Sequence, residues 1–299
     1  MGRPFSIRSD WVDIRAIGMG MAFALMWSSA FTSARVIVHY APPMASLSLR
    51  FLISGLIGVG IALALGQTFR LTRAQWRATI LFGLCQNALY LGLNFVAMQT
   101  IEAGLASIVA STMPLMVALA GWVVFRDKLP AMGVAGLLLG VAGVAIIMGA
   151  RLEGEVDRVG LALCFIAAMA LAVATLSVRG ASSGGNVMMI VGLQMLVGAA
   201  LLAIPAALFE DMTVQMNPQL VLAFIYTTLV PGLTATWVWF WLVNHIGAVK
   251  ASTFHFLNPF FGVAIASILL NEALGLLDAV GVVAIALGIL AVQLSKQRS

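Results

Sequence analysis

The chain has 299 residues, of which 62% are hydrophobic and 9% charged, with a mean hydropathy of +1.06. A soluble domain carries about a quarter charged residues, so a water-soluble enzyme or binding domain is excluded. The net charge of +5 calls for no nucleic-acid partner, because the basic residues gather at the ends of apolar runs.

Ten such runs follow one another: 14–36, 44–66, 76–98, 103–125, 130–150, 158–178, 187–209, 217–241, 249–271 and 274–294. Each approaches the ~20 apolar residues a membrane-crossing helix needs. The strands of a membrane β-barrel would alternate over ~10 residues instead. The connections are short, so any activity lies within the bilayer. Cys85 and Cys164 fall inside spans and read as small core residues. No lysine is followed by the Ser/Thr of a phosphate-binding loop, which argues against ATP-driven transport by this chain alone. Neither a metal site nor a cofactor is expected.

Lys and Arg set orientation. With a cytoplasmic N-terminus, the inner segments hold 12 of them and the outer segments 4, whereas the acids lean outward. Both termini are therefore expected in the cytoplasm.

A shift of 145 residues lays 95–148 over 240–293 without a gap. Pro114 meets Pro259, Asp127 meets Glu272, Gly136 meets Gly281 and Gly143 meets Gly288. The expected fold is an all-α membrane protein of ten transmembrane helices in two five-helix repeats, 1–150 and 151–299. An odd number of spans per repeat inverts the second copy, an arrangement common in secondary transporters.

Polar groups in hydrocarbon are costly unless they face protein or water, so each marks a candidate site. In the first span Trp27 and Ser28 lie near mid-depth. In the second, Arg50 snorkels to the outer interface or pairs with an outer acid such as Glu102 or Glu272, a structural pair being favoured over substrate binding. In the third, Gly83, Asn87, Tyr90 and Asn94 share a stripe at helical spacing. Gly133, Gly136, Gly140 and Gly143 give the fifth a close-packing face. In the eighth, Thr228, Trp237 and Trp239 accompany Pro231-Gly232, which bends or breaks the helix and frees carbonyls. In the ninth, Ser252, His255, Asn258 and Gly262 form a second stripe, with His255 as a substrate contact, a proton-linked switch or a packing residue. Pro114, Pro231, Gly232 and Pro259 are candidate hinges, static kinks being the alternative.

MWSSAF in the first span and LRFLISG in the second resemble the EamA-type transporters of the drug/metabolite transporter superfamily. The acid-ended runs MPLMVALAGWVVFRDKL and NPFFGVAIASILLNEAL carry the same resemblance. Members usually close that run with Gly-Glu, where this chain has Arg126-Asp127 and Asn271-Glu272. The resemblance implies a carrier of small metabolites, often an exporter of amino acids, with aromatic amino acid exporters as the nearest analogy. The expected partners are a small-molecule substrate and the lipid bilayer, with the chain acting as a monomer. The cavity is expected between the first, third, fourth, eighth and ninth spans. A solute channel and an intramembrane enzyme built on His255 are the competing readings.

Overall fold

A computed structural model describes residues 14–124, 126, 128–152, 156–177, 185–246, 251 and 254–297. Ser252 and Asp127, both singled out above, lie outside the described residues. The described part is helical throughout. Helix α1 runs Ile14–Tyr40, α2 Pro43–Ala64, α3 Arg73–Ala97, α4 Ala103–Val123 and α5 Ala131–Leu152. In the second half, α6 runs Arg158–Ser177, α7 Val187–Phe209, α8 218–246, α9 Phe254–Leu270 and α10 Leu276–Gln297. Eight helices among the described residues are long and apolar enough to cross a membrane; Ala131–Ile147 and Phe254–Leu270 are shorter apolar helices.

Local chemistry sets most boundaries. Pro43 opens α2 at a position where a missing N–H is harmless. Thr72 and Gln75 form a reciprocal capping box at the start of α3. Asn217 accepts from the Leu220 N–H ahead of α8. The runs before Arg126 and Asn271 both end in the left-handed region, each with φ 55°, where glycine is the usual occupant. The two departures from the Gly-Glu pattern therefore fall on the residue that must adopt that conformation. Asn tolerates it far better than Arg.

Several helices are not regular. Within α3, Gly83–Leu91 forms a π-helical segment, and within α8, Thr228–Thr234 forms another. They begin 145 residues apart. Helix α4 breaks at Thr112 just before Pro114, and α9 opens with the 3₁₀ turn Phe254–Leu257 before Pro259. The interruptions in α4, α8 and α9 fall at the expected prolines, whereas α3, expected to be regular over 76–98, is corrected to an interrupted helix. A proline has no N–H for the carbonyl four residues back, so Ala110, Thr227 and His255 each lose that partner.

Helix α2 packs along α7, α5 along α10 and α4 against α9. Helix α1 lies on α8 and α9 as α6 lies on α3 and α4, and α3 meets α7 as α8 meets α2. Exchanging each helix for the one five places away leaves these pairs unchanged. The α5–α10 crossing brings backbones into contact. A Cβ on Gly288 would lie 2.7 Å from the Gly136 carbonyl oxygen, and one on Gly281 would lie 2.8 Å from that of Gly143. Small residues are what permit such an approach; the glycine face of the fifth span is internal scaffold.

Carboxylates tie helix starts together along one end of the bundle. Glu272 accepts from the N–H groups of Ala103 (2.7 Å) and Gly104 (2.8 Å) at the start of α4. Glu210 does the same for Met44 (2.7 Å) and Ala45 (2.8 Å) in α2. Asp157 accepts from Val159 and Gly160 at the head of α6, and from the Thr100 hydroxyl at 2.6 Å. Helix N-termini favour such anions through their exposed N–H groups and dipole. The acids of these loops therefore have a local function in capping.

Candidate functional site

A cavity of about 790 Å³ lies between the halves, within the range of small-molecule sites. Its wall draws on α1, α3, α4, α8 and α9, as expected, and also on α2, α6, α7 and α10. The first-half helices contribute Trp27, Arg50, Asn87, Tyr90 and Pro114; the second-half helices contribute Gln194, Pro231, Gly232, Trp239, His255 and Asn258.

One part of the wall is an aromatic box. His255 lies edge-on to Phe23 (centroids 5.3 Å apart) and to Trp27 (6.4 Å), and is tilted against Trp239 (5.2 Å). Phe23 in turn packs on Trp239 at 4.9 Å. The ring is positioned by Asn258, whose Nδ2 lies 2.9 Å from His255 Nδ1. With Asn258 as donor, the imidazole is neutral and protonated on Nε2. The 3₁₀ turn makes this pairing possible, since residues three apart stack on one another there. The Asn258 carbonyl accepts from the Ser28 hydroxyl at 3.2 Å, joining α1 to α9, while its side-chain Oδ1 has no partner among the described residues.

A second part is polar and centred on the π segment of α3. Asn87 Nδ2 donates to the Gln194 carbonyl at 2.9 Å, across the α3–α7 contact. Tyr90 and Gln86 line the same wall. π segments insert an i→i+5 step that re-aims side chains and recur at functional sites.

The third part is Arg50. Only 6% exposed, its guanidinium sits 5.3 Å from the Phe51 ring centroid. A Cβ on Gly232 would lie 3.4 Å from Arg50 Nη2 and 3.8 Å from Ser54 Oγ. The expected outer ion pair is not formed: Glu272 is committed to the start of α4, and Arg50 Nε has no partner among the described residues. About two turns into α2, the side chain turns inward to the cavity instead of snorkelling outward.

Several candidates lie off this wall. Trp237 is 57% exposed on the outside of the bundle, two residues from Trp239 and so on another face. Asn94 is buried and donates to the Tyr90 carbonyl at 2.8 Å; the intervening π segment breaks the 3.6-residue stripe that had linked it to Asn87. Ser28 serves the α1–α9 joint, and Thr228 donates to the Phe224 carbonyl at 2.7 Å. Among the hinge candidates, Pro114, Pro231 and Gly232 line the cavity, whereas Pro259 is buried beside Asn258 in the first turn of the α-helical part of α9.

Sequence reasoning missed Gln86, Thr175, Gln194 and Thr236, all on the wall. Gln194 had a readable signal, because it stands alone as a polar side chain within the apolar run 187–209.

The EamA-like transporter family model matches twice, over residues 14–149 and 158–294. The Bacillus subtilis uncharacterized transporter YvbV is 27% identical over 84% of this chain and 83% of its own length. A probable amino-acid metabolite efflux pump of Salmonella typhimurium is 24% identical over 91% of this chain and 92% of its own. A crystal structure 21% identical in sequence superimposes with a TM-score of 0.68, covering 94% of this chain and 98% of that one; at that identity the likeness concerns the fold. Family and relatives are transporters, not enzymes, which removes the reading of His255 as a catalytic residue. With both copies of the family domain spanning almost the whole chain around one shared cavity, the protein belongs to the EamA-like transporter family.

Proposed function

We propose that the protein is a secondary transporter that exports small organic metabolites, amino acids above all, across the cytoplasmic membrane by alternating access. The observation that carries this reading is the ~790 Å³ cavity lined by both halves of the chain, the position expected for a substrate site between repeats. In this reading all ten apolar helices cross the bilayer, and the halves enter it from opposite sides. The exchange of packing partners between α1–α5 and α6–α10 supports the repeat, and the outward lean of the acids supports cytoplasmic termini. Asn87, Tyr90, Trp27, Trp239, His255 and Asn258 contact the substrate, and the interrupted segments around Pro114, Pro231-Gly232 and Pro259 accommodate the change between states. One chain encloses the whole cavity, so a monomer suffices.

The cavity extends to Gln75 and Val187, in the first turns of α3 and α7, on the side of the basic loops. At the other end the Glu272 and Glu210 caps hold α4 to α9 and α2 to α7. Such an arrangement corresponds to the inward-open member of the cycle. The export direction follows the relative named as an amino-acid metabolite efflux pump.

Counterflow in proteoliposomes with labelled amino acids and related metabolites tests the reading. Saturable exchange of at least one solute is expected. Flux that rises linearly with concentration would make the protein a channel, and the absence of flux for every solute would refute transport.

A further inference from the structure

Arg50 is a cation without a counter-ion among the described residues. It lines the cavity, is 6% exposed, and leaves Nε unpartnered among the described residues. Ser54, one turn further along α2, is more deeply buried, and its hydroxyl also lacks a partner there. Both face Gly232, the residue of the α8 π segment that has no side chain to come between them and the opposite wall. No Asp or Glu lines the cavity among the described residues. A buried charge left unpaired is costly, and the usual remedies are a counter-ion or neutralisation. Arginine does not neutralise in proteins, so the cavity offers a cation that an anionic group of the solute can pair.

We propose that the transported solute carries a single carboxylate, which docks on the Arg50 guanidinium, while its apolar body lies toward Phe23, Trp27 and Trp239. This assignment rests on the transporter reading above and names the substrate group that the site selects. A guanidinium presents two parallel N–H donors that match a carboxylate. One fixed cation balances a monoanion, whereas a phosphate monoester would bring close to two negative charges. The Phe51 ring holds the guanidinium through its negative face.

The test varies only the charged group. Purified protein in detergent is heated with 3-phenylpropionate, 3-phenylpropionamide or phenethylamine at equal concentration, and the unfolding midpoint is read. The acid is expected to raise the midpoint, and the amide and amine are expected to leave it unmoved. Arg50→Gln should weaken the acid's apparent affinity about 30-fold or more, the scale for losing one partner of a buried charge pair. Arg50→Lys, which keeps the charge and loses the fork, should fall in between. The empty Arg50→Gln protein should unfold at or above the wild-type temperature, because an uncompensated cation has been removed. Equal shifts from the three probes, no shift with the acid, or an acid shift retained in Arg50→Gln would each overturn the assignment. Saturable counterflow confined to solutes without a carboxylate would overturn it while leaving the transporter reading intact. Acid binding without saturable flux of any solute would do the reverse.

Discussion

The two halves repeat their backbone irregularities more faithfully than their side chains. π segments begin at Gly83 and Thr228, helices break before Pro114 and Pro259, and left-handed caps fall at Arg126 and Asn271. Each pair is separated by the same 145 residues. The chemistry at these positions differs. Asn87 projects from the first π segment, and its counterpart in the second is Gly232, which makes room for Arg50. Ala110 and Met113 in the first half stand where His255 and Asn258 stand in the second. A shared scaffold with unlike linings lets two similar halves build one asymmetric cavity, able to orient a solute with distinct ends.

The comparison breaks most severely at the α5–α10 crossing. The Gly136–Gly288 and Gly143–Gly281 contacts exchange under the 145-residue shift, so Gly136→Val and Gly281→Val should destabilise alike, by roughly 3 kcal/mol each, as a side chain is forced against backbone. Unfolding in mixed micelles measures both; a difference of more than about 1 kcal/mol between them would show that the halves are not equivalent there.

The left-handed caps come next. Asn271→Val should cost about 2 kcal/mol, since a branched Cβ clashes in that conformation. Arg126→Gly should stabilise by about 1 kcal/mol, and Asn271→Gly by less, because Asn already tolerates the left-handed region. Equal gains at the two sites would mean that the caps are not under matching strain.

At the cavity wall, Asn87→Ala removes the bond to the Gln194 carbonyl. Stability should fall by only about 0.6 kcal/mol, the mean for such contacts between membrane helices. The substrate concentration at half-maximal counterflow should nevertheless rise several-fold. His255→Ala should behave in the same way through loss of the aromatic box. Lower folded yield without a change in half-saturation would assign both residues to packing.

The smallest effect belongs to Asp157, outside the spans. The Thr100 hydroxyl, together with the Gly160 and Val159 N–H groups, holds its carboxyl below the usual carboxylate range. A lowered folded value means that the contribution is present above the ordinary pKa of about 4 and fades as pH falls through the lowered value. Asp157→Ala should therefore show a small drop in unfolding midpoint at pH 7 that disappears in strong acid. A deficit independent of pH would trace the effect to the lost side chain and not to its charge.

Much of the scaffold is readable from the residues themselves. Apolar length marks the spans, and the prolines, glycines and acids in register reveal the repeat. The cavity wall is readable only in part. Trp27, Asn87, Tyr90, Trp239, His255 and Asn258 reach it, whereas Ser28, Asn94, Thr228 and Trp237 do not: Asn94 was placed at 3.6 residues per turn through a π segment, and Trp237, two residues from Trp239, stands on another face. Arg50 was expected to snorkel or to pair with an acid such as Glu102 or Glu272, and Glu272 caps α4 instead.

By itself, then, the sequence determines a helical membrane protein with an internal duplication, because hydrocarbon admits few polar side chains and repeated punctuation survives where apolar residues drift. Tertiary structure alone decides which of two neighbouring polar residues faces the cavity and which cation is left without a counter-ion among the described residues. Those outcomes depend on helix rotation and on which helix start claims each carboxylate, and neither is encoded in local spacing.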